Sequence, residues 1–581
     1  MDNGDVLPHP AAPLTHVAAE DVPNRILAGA SVVGAYVVTA IIATWPLLLH
    51  LRTAVLRGTE QVSTVPVFDI WTLWWTSDRV AHGFAHYWDA PFFYPNVGVF
   101  TYSEPQPLTG LLVTPLWALG AAPALVYNIA LLGLLILDGI FAYRLACALG
   151  GSRLSALLGG VLAITLPYAA KEFGILPLIG FFGMLWTLEG LVRFGRNATV
   201  GDAAWAAAGF VALYLTCEQY ALMFAPFALA AGMLALAQHR FPARATVRLV
   251  AMGMAAGLIV LIVAWPTLTL HHKLGFSRSD LLVQLLSAQI GDFFTRPGDA
   301  WMTFPPPSPY DTAGLFPGVV LLSLAVVGVA MGWLSGTVTP RPWIAYFVGS
   351  VIAAMLLAQG LNLNLTGWQP FAMLRVYVPG FNELRSVFRF AIIMQIALLI
   401  LATMALASIH QYTRRTGSSI MIVLTLFAAL DNLTLPAPLI RVPLSPRTAW
   451  TTWLRAQPAG TIIAHVPFAA GLDVSDYEVE SWRLFAQIDH HKPIANGYSS
   501  NFPPGYAGFQ LDMAYNFPRL GLLCTLNRRL GVNTLVVDRY WLAHHESRLS
   551  DFSAHLHLLY TDDDVWIYRL RMQRDQCTTA T

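Results

Sequence analysis

The stretch "PLTGLLVTPLWALG", residues 107–120, decides how the chain is threaded. It is apolar but short, whereas a helix needs about 20 residues to cross the hydrocarbon core. Pro107 stands at its start and Pro115 inside it. We expect a re-entrant or interfacial segment, not a crossing. The choice matters because one extra crossing would invert every later loop.

The basic residues settle it. If 107–120 does not cross, Arg144 and Arg153, then Arg193 and Arg196, fall on one side. So do Arg240, Arg244 and Arg248, then Arg341, then Arg414 and Arg415, while the short opposite turns hold only Lys171. Arginine-rich short loops mark the cytoplasmic face. The loops 52–106, 271–314 and 361–387 are therefore expected outside.

Composition supports this frame. The 581 residues are 56% hydrophobic and 12% charged, against roughly 25% charged in a soluble domain. Windows of apolar residues mark about eleven spans, near 26–50, 123–149, 154–170, 178–194, 203–219, 221–238, 248–270, 315–335, 343–360, 388–410 and 418–437. Residues 1–25 are polar, hold acidic groups and lack a basic n-region, so they read as a cytoplasmic tail before an uncleaved first helix. After about residue 440 the texture changes. "GTIIAHVPF", "NTLVVDRY" and "VWIYRLR" read as strands, and "SDYEVESWRLFAQIDHH" as a helix. The expected architecture is a polytopic α-helical membrane protein. A transmembrane module over 26–438 is followed by a small C-terminal outer α/β domain over 440–581.

Several function classes drop out. The net charge of +1 and the lack of basic runs exclude nucleic acid as a partner. GxxxxGK[ST], GxGxxG after a strand, GxSxG and HExxH do not occur, which argues against cytoplasmic nucleotide hydrolysis. Of the four cysteines, Cys147 and Cys217 fall in apolar spans as buried residues, and Cys524 and Cys577 are free to pair.

The first outer loop is the richest in chemistry. In "FDIWTLWWTSDRVAHG", residues 68–83, a helical wheel puts Asp69, Thr72, Thr76 and Arg79 on one face. Trp71 and Trp74 lie opposite with Trp75 at the edge, as in an interfacial anchor. "APFFYPNVGVFTYSEPQPLTG" then brings Tyr94, Tyr102 and a second acid, Glu104. Within spans, Glu189 has Arg193 four residues on, Asp138 needs a partner on another helix, and Glu218 stands by an outer turn. In "VYVPGFNELRSVFRFAII", Arg385 and Arg389 share a helix face at spacing four, suited to capturing a phosphate or to pairing with Glu383. His271 and His272, like His490 and His491, are adjacent and cannot both face one metal from a helix. Asn496 and Tyr498, in "IDHHKPIANGYSSNFPPGY", lie in a Gly/Pro loop as ligand-contact candidates.

The order of "FDIWTLWW", "FFYPNVGVFTYSE", "ALVYN", "GDFFTRPGDAW", "VPGFNELRSVFRF" and "PIANGYSSNFPPGY" resembles a branch of bacterial membrane proteins within the GT-C superfamily of glycosyltransferases. The likeness runs from about residue 40 to 570. It implies a transferase of the cytoplasmic (inner) membrane. Such an enzyme moves a sugar from a polyprenyl-phosphate-linked donor to an outer-face glycan, lipid or protein acceptor. It also implies Asp69 as catalytic base, Glu104 as a second acid positioning the acceptor or a divalent metal such as Mg or Mn, and Arg385 and Arg389 on the lipid phosphate. In that superfamily the first-loop acid commonly lies nearer the first span, and the stretch before Asp69 offers only Glu60. Two other classes remain: a non-catalytic assembly or polysaccharide-export partner, and a transporter of lipid-linked glycans.

Overall fold

The computed structural model describes residues 21–59, 61–298, 305–306, 311–335, 339–412, 416–573 and 577. Glu60, Arg414, Arg415, residues 1–20 of the tail, and residues 299–304 and 307–310 of the loop 271–314 lie outside the described residues.

Among the described residues, seven helices are long and apolar enough to cross a membrane. The longest are Ala243–Leu274, of 32 residues, and Pro123–Ala148, of 26. At 1.5 Å per residue each exceeds a hydrocarbon core of about 30 Å. Five shorter apolar helices accompany them, Pro107–Ala118 among them. Val387–Ile409 is wholly buried along its apolar window and forms the axis of the bundle. It packs against Val319–Ser335, Arg341–Ala358 and Arg153–Ile164. Ala243–Leu274 has the opposite character, with only 11% of its apolar window buried, as a lipid-facing helix must.

The segment 107–120 forms the 12-residue helix Pro107–Ala118, closed at Gly120 by a positive φ of 71°. Its length of about 18 Å is too short to span. Pro107 occupies its first turn, where a missing N–H costs nothing. It lies along the helix Thr64–Ala81 at very close range. A Cβ on Gly110 would come within 2.5 Å of Thr76 Cβ, so only glycine allows this approach.

Two features tie the first long loop to the far end of the chain. Strand β1, Ala54–Leu56, pairs antiparallel with β2, Leu439–Arg441. The helix Glu478–His490 packs on Thr64–Ala81. Beyond residue 460 the chain builds a four-stranded sheet from β3 (Ile463–Val466), β4 (Thr534–Asp538), β5 (Leu556–Thr561) and β6 (Val565–Leu570), in the order β3-β4-β6-β5. The β3–β4 pair is parallel and the other two are antiparallel. Cys524 and Cys577 form a disulfide beside this sheet, whereas Cys217 is a buried thiol and Cys147 a half-buried one.

The tryptophans of the first loop depart from the interfacial anchor that the helical wheel predicts. Trp71 is fully buried, and Trp74 and Trp75 nearly so. Trp71 stacks on Trp75 at 5.7 Å and donates its Nε1–H to Gln487 Oε1 at 3.0 Å. Trp75 Nε1 donates to Tyr87 O at 2.9 Å. The helix Glu478–His490 covers the face that a single-helix pattern assigns to lipid.

The acids within the spans find partners. Glu189 accepts a two-pronged bond from Arg144, 2.9 Å at each oxygen, and further bonds from Arg193 at 3.3 Å and Trp205 Nε1 at 2.9 Å. Asp138 accepts the Phe181 N–H at 2.9 Å, so its partner is backbone at a helix start and not a side chain.

Candidate functional site

A cavity of about 210 Å³ opens where the first loop, the start of the loop 271–314, the segment before Val387–Ile409 and the 498–501 loop meet. Seven of the candidates line it: Asp69, Tyr102, Glu104, Glu218, Arg385, Arg389 and Tyr498.

Asp69 comes from the tryptophan helix and is nearly buried. Its Oδ1 accepts Gln106 Nε2 at 2.8 Å and its Oδ2 accepts the Leu176 N–H at 2.9 Å. One carboxylate thus joins three segments distant in sequence. Gln106 reaches it from a left-handed backbone position, φ 47°, that a non-glycine residue adopts at a cost.

Glu104 differs in kind. Its Oε2 is buried with no hydrogen-bond partner. Burial pushes its carboxyl above the ordinary glutamate range. A hydrogen bond from Cys217 and the nearby charges of Arg389 and Arg385 pull it partly back. The neighbouring acid, Glu218, opens the helix Glu218–Ala237 and accepts the Tyr214 hydroxyl at 3.1 Å.

The two arginines do not share a regular helix, as their spacing predicts. Residues Val387–Phe390 form a tight 3-10 turn and Arg385 precedes it in extended chain. Both side chains still reach the cavity. Arg389 is engaged, donating to Gln219 Oε1 at 2.8 Å with Glu172 Oε2 at 3.7 Å. Arg385 makes no side-chain hydrogen bond or ion pair among the described residues, yet it is only half-exposed. Glu383 is not its partner. That acid pairs instead with His271 Nδ1 at 2.5 Å, and His271 Nε2 lies 3.1 Å from Thr101 O.

Arg278 is a third cation here, and nothing in the sequence pattern singles it out. Gly275, with φ 64°, ends the long helix and turns the chain back over the cavity. Arg278 then donates to Ser500 O at 3.0 Å and Glu383 O at 3.4 Å. Burial first, and then the charge of Arg385, bring its guanidinium down to about 10. A guanidinium eased in this way marks a place where positive charges crowd.

Two candidates lie elsewhere. Tyr94 bonds through its N–H to Ile494 O at 2.9 Å, and its ring faces Gly531. Asn496 is fully buried; its Oδ1 accepts the His465 N–H at 2.7 Å, and its Nδ2 donates to His465 O at 3.1 Å and to Glu480 at 3.2 Å. Both residues stitch the loop 494–498 onto its neighbours, and neither lines the cavity.

The acids do not fit a divalent cation. Both Asp69 oxygens already accept N–H donors, and Glu104 faces two guanidinium groups. Among the described residues, no three His, Cys, Asp or Glu side chains converge as a metal needs.

No protein-family model matches the chain, and no curated protein does. Two classes of a cryo-EM structure of a variant of arabinofuranosyltransferase AftD from Mycobacteria do match, each at 16% identity. They cover 94% and 95% of this chain, with TM-scores of 0.54 and 0.56. The chain spans 42% of AftD's length. The oligosaccharyltransferase of Archaeoglobus fulgidus aligns over 94% of this chain and 74% of its own length, at 12% identity and a TM-score of 0.47. At such identities the likeness is one of fold. The chain is a multi-pass membrane protein whose fold is similar to that of arabinofuranosyltransferase AftD over nearly its whole length.

Proposed function

We propose that the protein transfers a sugar from a polyprenyl-phosphate-linked donor to an acceptor hydroxyl on the outer face of the cytoplasmic membrane. One observation carries this reading: Asp69, Glu104, Arg385 and Arg389, from segments up to 320 residues apart, line a single cavity. The acceptor is a glycan, lipid or protein. The disulfide at Cys524 and Cys577 favours an oxidising compartment for the C-terminal unit, which agrees with the arginine bias of the loops.

Glu104 is the better base. It has a buried oxygen without a hydrogen-bond partner, and burial raises its carboxyl above the ordinary glutamate range, which strengthens it as a proton acceptor. Asp69, with both oxygens engaged, positions the loop that carries Glu104. The acceptor oxygen attacks the anomeric carbon and its proton passes to Glu104. The bond from that carbon to the phosphate oxygen breaks, and the lipid phosphate leaves with the electron pair. Arg385, which lacks a side-chain partner among the described residues, and Arg389 stabilise the charge on it. Attack opposite the leaving group inverts the anomeric centre.

The test compares lipid-linked sugars and envelope glycans in wild-type cells and in a Glu104→Gln strain. The donor should accumulate and one glycan linkage should disappear. Unchanged profiles would overturn the proposal and favour a non-catalytic assembly partner.

A further inference from the structure

We infer that two short loop helices beside the cavity form a platform immersed in the lipid surface of the adjoining leaflet. The helices are Asp280–Leu285 and Pro370–Tyr377. Each is apolar on two opposite faces. Val283 and Phe371 point inward and are fully buried. Leu281 and Leu285, four residues apart, project outward and are exposed. Met373, Val376 and Tyr377 do the same at spacings of three and four, with Val376 at 74% and Tyr377 at 76% exposure. Adjacent exposed apolar side chains on the outer face of each helix, beyond those already buried on the inner face, call for an apolar covering.

The covering is lipid because the patch continues a lipid-facing surface. Asp280–Leu285 follows shortly after the end of Ala243–Leu274, whose Trp265 and Leu268 are exposed along its length. Both loop helices pack on Gly360–Asn362, the turn that ends the apolar helix Arg341–Ala358. The platform therefore stands at the ends of two apolar helices, at the depth where the hydrocarbon gives way to headgroups.

Arg375 locks the two pieces together and to the cavity. It pairs with Asp280 Oδ1 at 2.6 Å and donates to Arg278 O at 2.7 Å. The Arg278 N–H donates in turn to Asn382 O at 3.1 Å, three residues before Arg385. The cationic wall of the cavity is thus held at a fixed height above the bilayer. The inference does not depend on the reaction proposed above.

The test places a single reporter cysteine at Val376→Cys, and separately at Leu281→Cys, in the full chain reconstituted into phosphatidylcholine–phosphatidylglycerol vesicles. Each is labelled with an environment-sensitive fluorophore. Tyr540→Cys, in the C-terminal unit and 78% exposed, is the aqueous reference. At both platform positions emission should shift to the blue relative to Tyr540→Cys, and headgroup-depth nitroxide lipids should quench it. Quenching by aqueous iodide to the same extent as the reference, with no effect of nitroxide lipids, would overturn the inference. All of these side chains are exposed, so the substitutions leave the packed core intact. Glycosyl transfer need not be measured, so failure here is separable from failure of the proposed reaction.

Discussion

Replacing Glu104 by glutamine tests the chemistry most directly. The change keeps the shape and removes the negative charge and the proton-accepting oxygen. Arg389 keeps Gln219 and Glu172, so the cavity wall stays in place. A positioned general base contributes roughly 10²–10⁴-fold in rate, or about 3–5 kcal/mol of barrier. The kcat of Glu104→Gln should fall by that factor. Its KM for the donor should hold or decrease, because a carboxylate that neutralises Arg385 and Arg389 has gone. The pH profile supplies a second check. A base works only when deprotonated, and burial raises this one. The wild-type kcat/KM should therefore climb with pH through a value above the ordinary glutamate range, and Glu104→Gln should be flat there. Arg385→Ala should show the reverse split: losing a charged hydrogen bond of roughly 1.5–3 kcal/mol raises KM by about ten-fold or more. The assay uses purified protein in vesicles with a panel of polyprenyl-phosphate-linked pentoses and hexoses. A Glu104→Gln enzyme with full kcat, beside an inactive Asp69→Asn enzyme whose melting point is unchanged, would refute the assignment of the base.

Two further outcomes concern stability. His490 is buried and held down to about 3, by burial first and then by His491, Lys492 and Arg455; His465 is depressed by burial, Arg483 and His490. The unfolded chain takes up protons below pH ~6.5 while the folded one does not, so each histidine removes about 1.4 kcal/mol per pH unit as pH falls from that point. Thermal unfolding in detergent should show this acid limb, and His490→Gln should make it shallower; an unchanged limb would contradict the depressed pKa. Trp71→Ala should cost about 3–5 kcal/mol by opening a cavity, whereas Trp71→Phe should cost about 1–3 by leaving Gln487 Oε1 without its donor. Limited proteolysis between the first loop and the C-terminal unit reads both, and equal resistance of the two variants would contradict the burial argument.

Hydropathy made much of the membrane part legible, because a long apolar helix announces itself without reference to neighbours. The short helix 107–118 was legible for the complementary reason, since length and two prolines fix what it cannot do. Glu104 and Arg385 were visible as charges placed where charges are costly. Arg278 was not, since one arginine in a polar loop resembles any other until Gly275 turns it over the cavity. The tryptophan helix was misjudged because its second apolar face meets a helix some 400 residues later. An indole buried under protein and one buried in lipid give the same pattern. Asn496 and Tyr94 lie away from the cavity, because the Asn496 amide bonds the His465 backbone and the Tyr94 N–H bonds Ile494 O, pairings that leave no compositional trace.

The bond between Trp71 and Gln487 spans 416 positions in the chain. Synthesis is vectorial, so the helix that bears Asp69 is made long before the surface that covers its indoles. Until then Trp71 lacks its acceptor on Gln487, and β1 has no partner strand. Closing so long a loop costs entropy that only native contacts repay. The cavity is therefore completed late in assembly, and a chain stopped before residue 478 carries every acid and arginine of the site without the element that seats them. Completion of the polypeptide itself becomes the step that closes the cavity wall, since Tyr498, Ser500 and Asn501 line it.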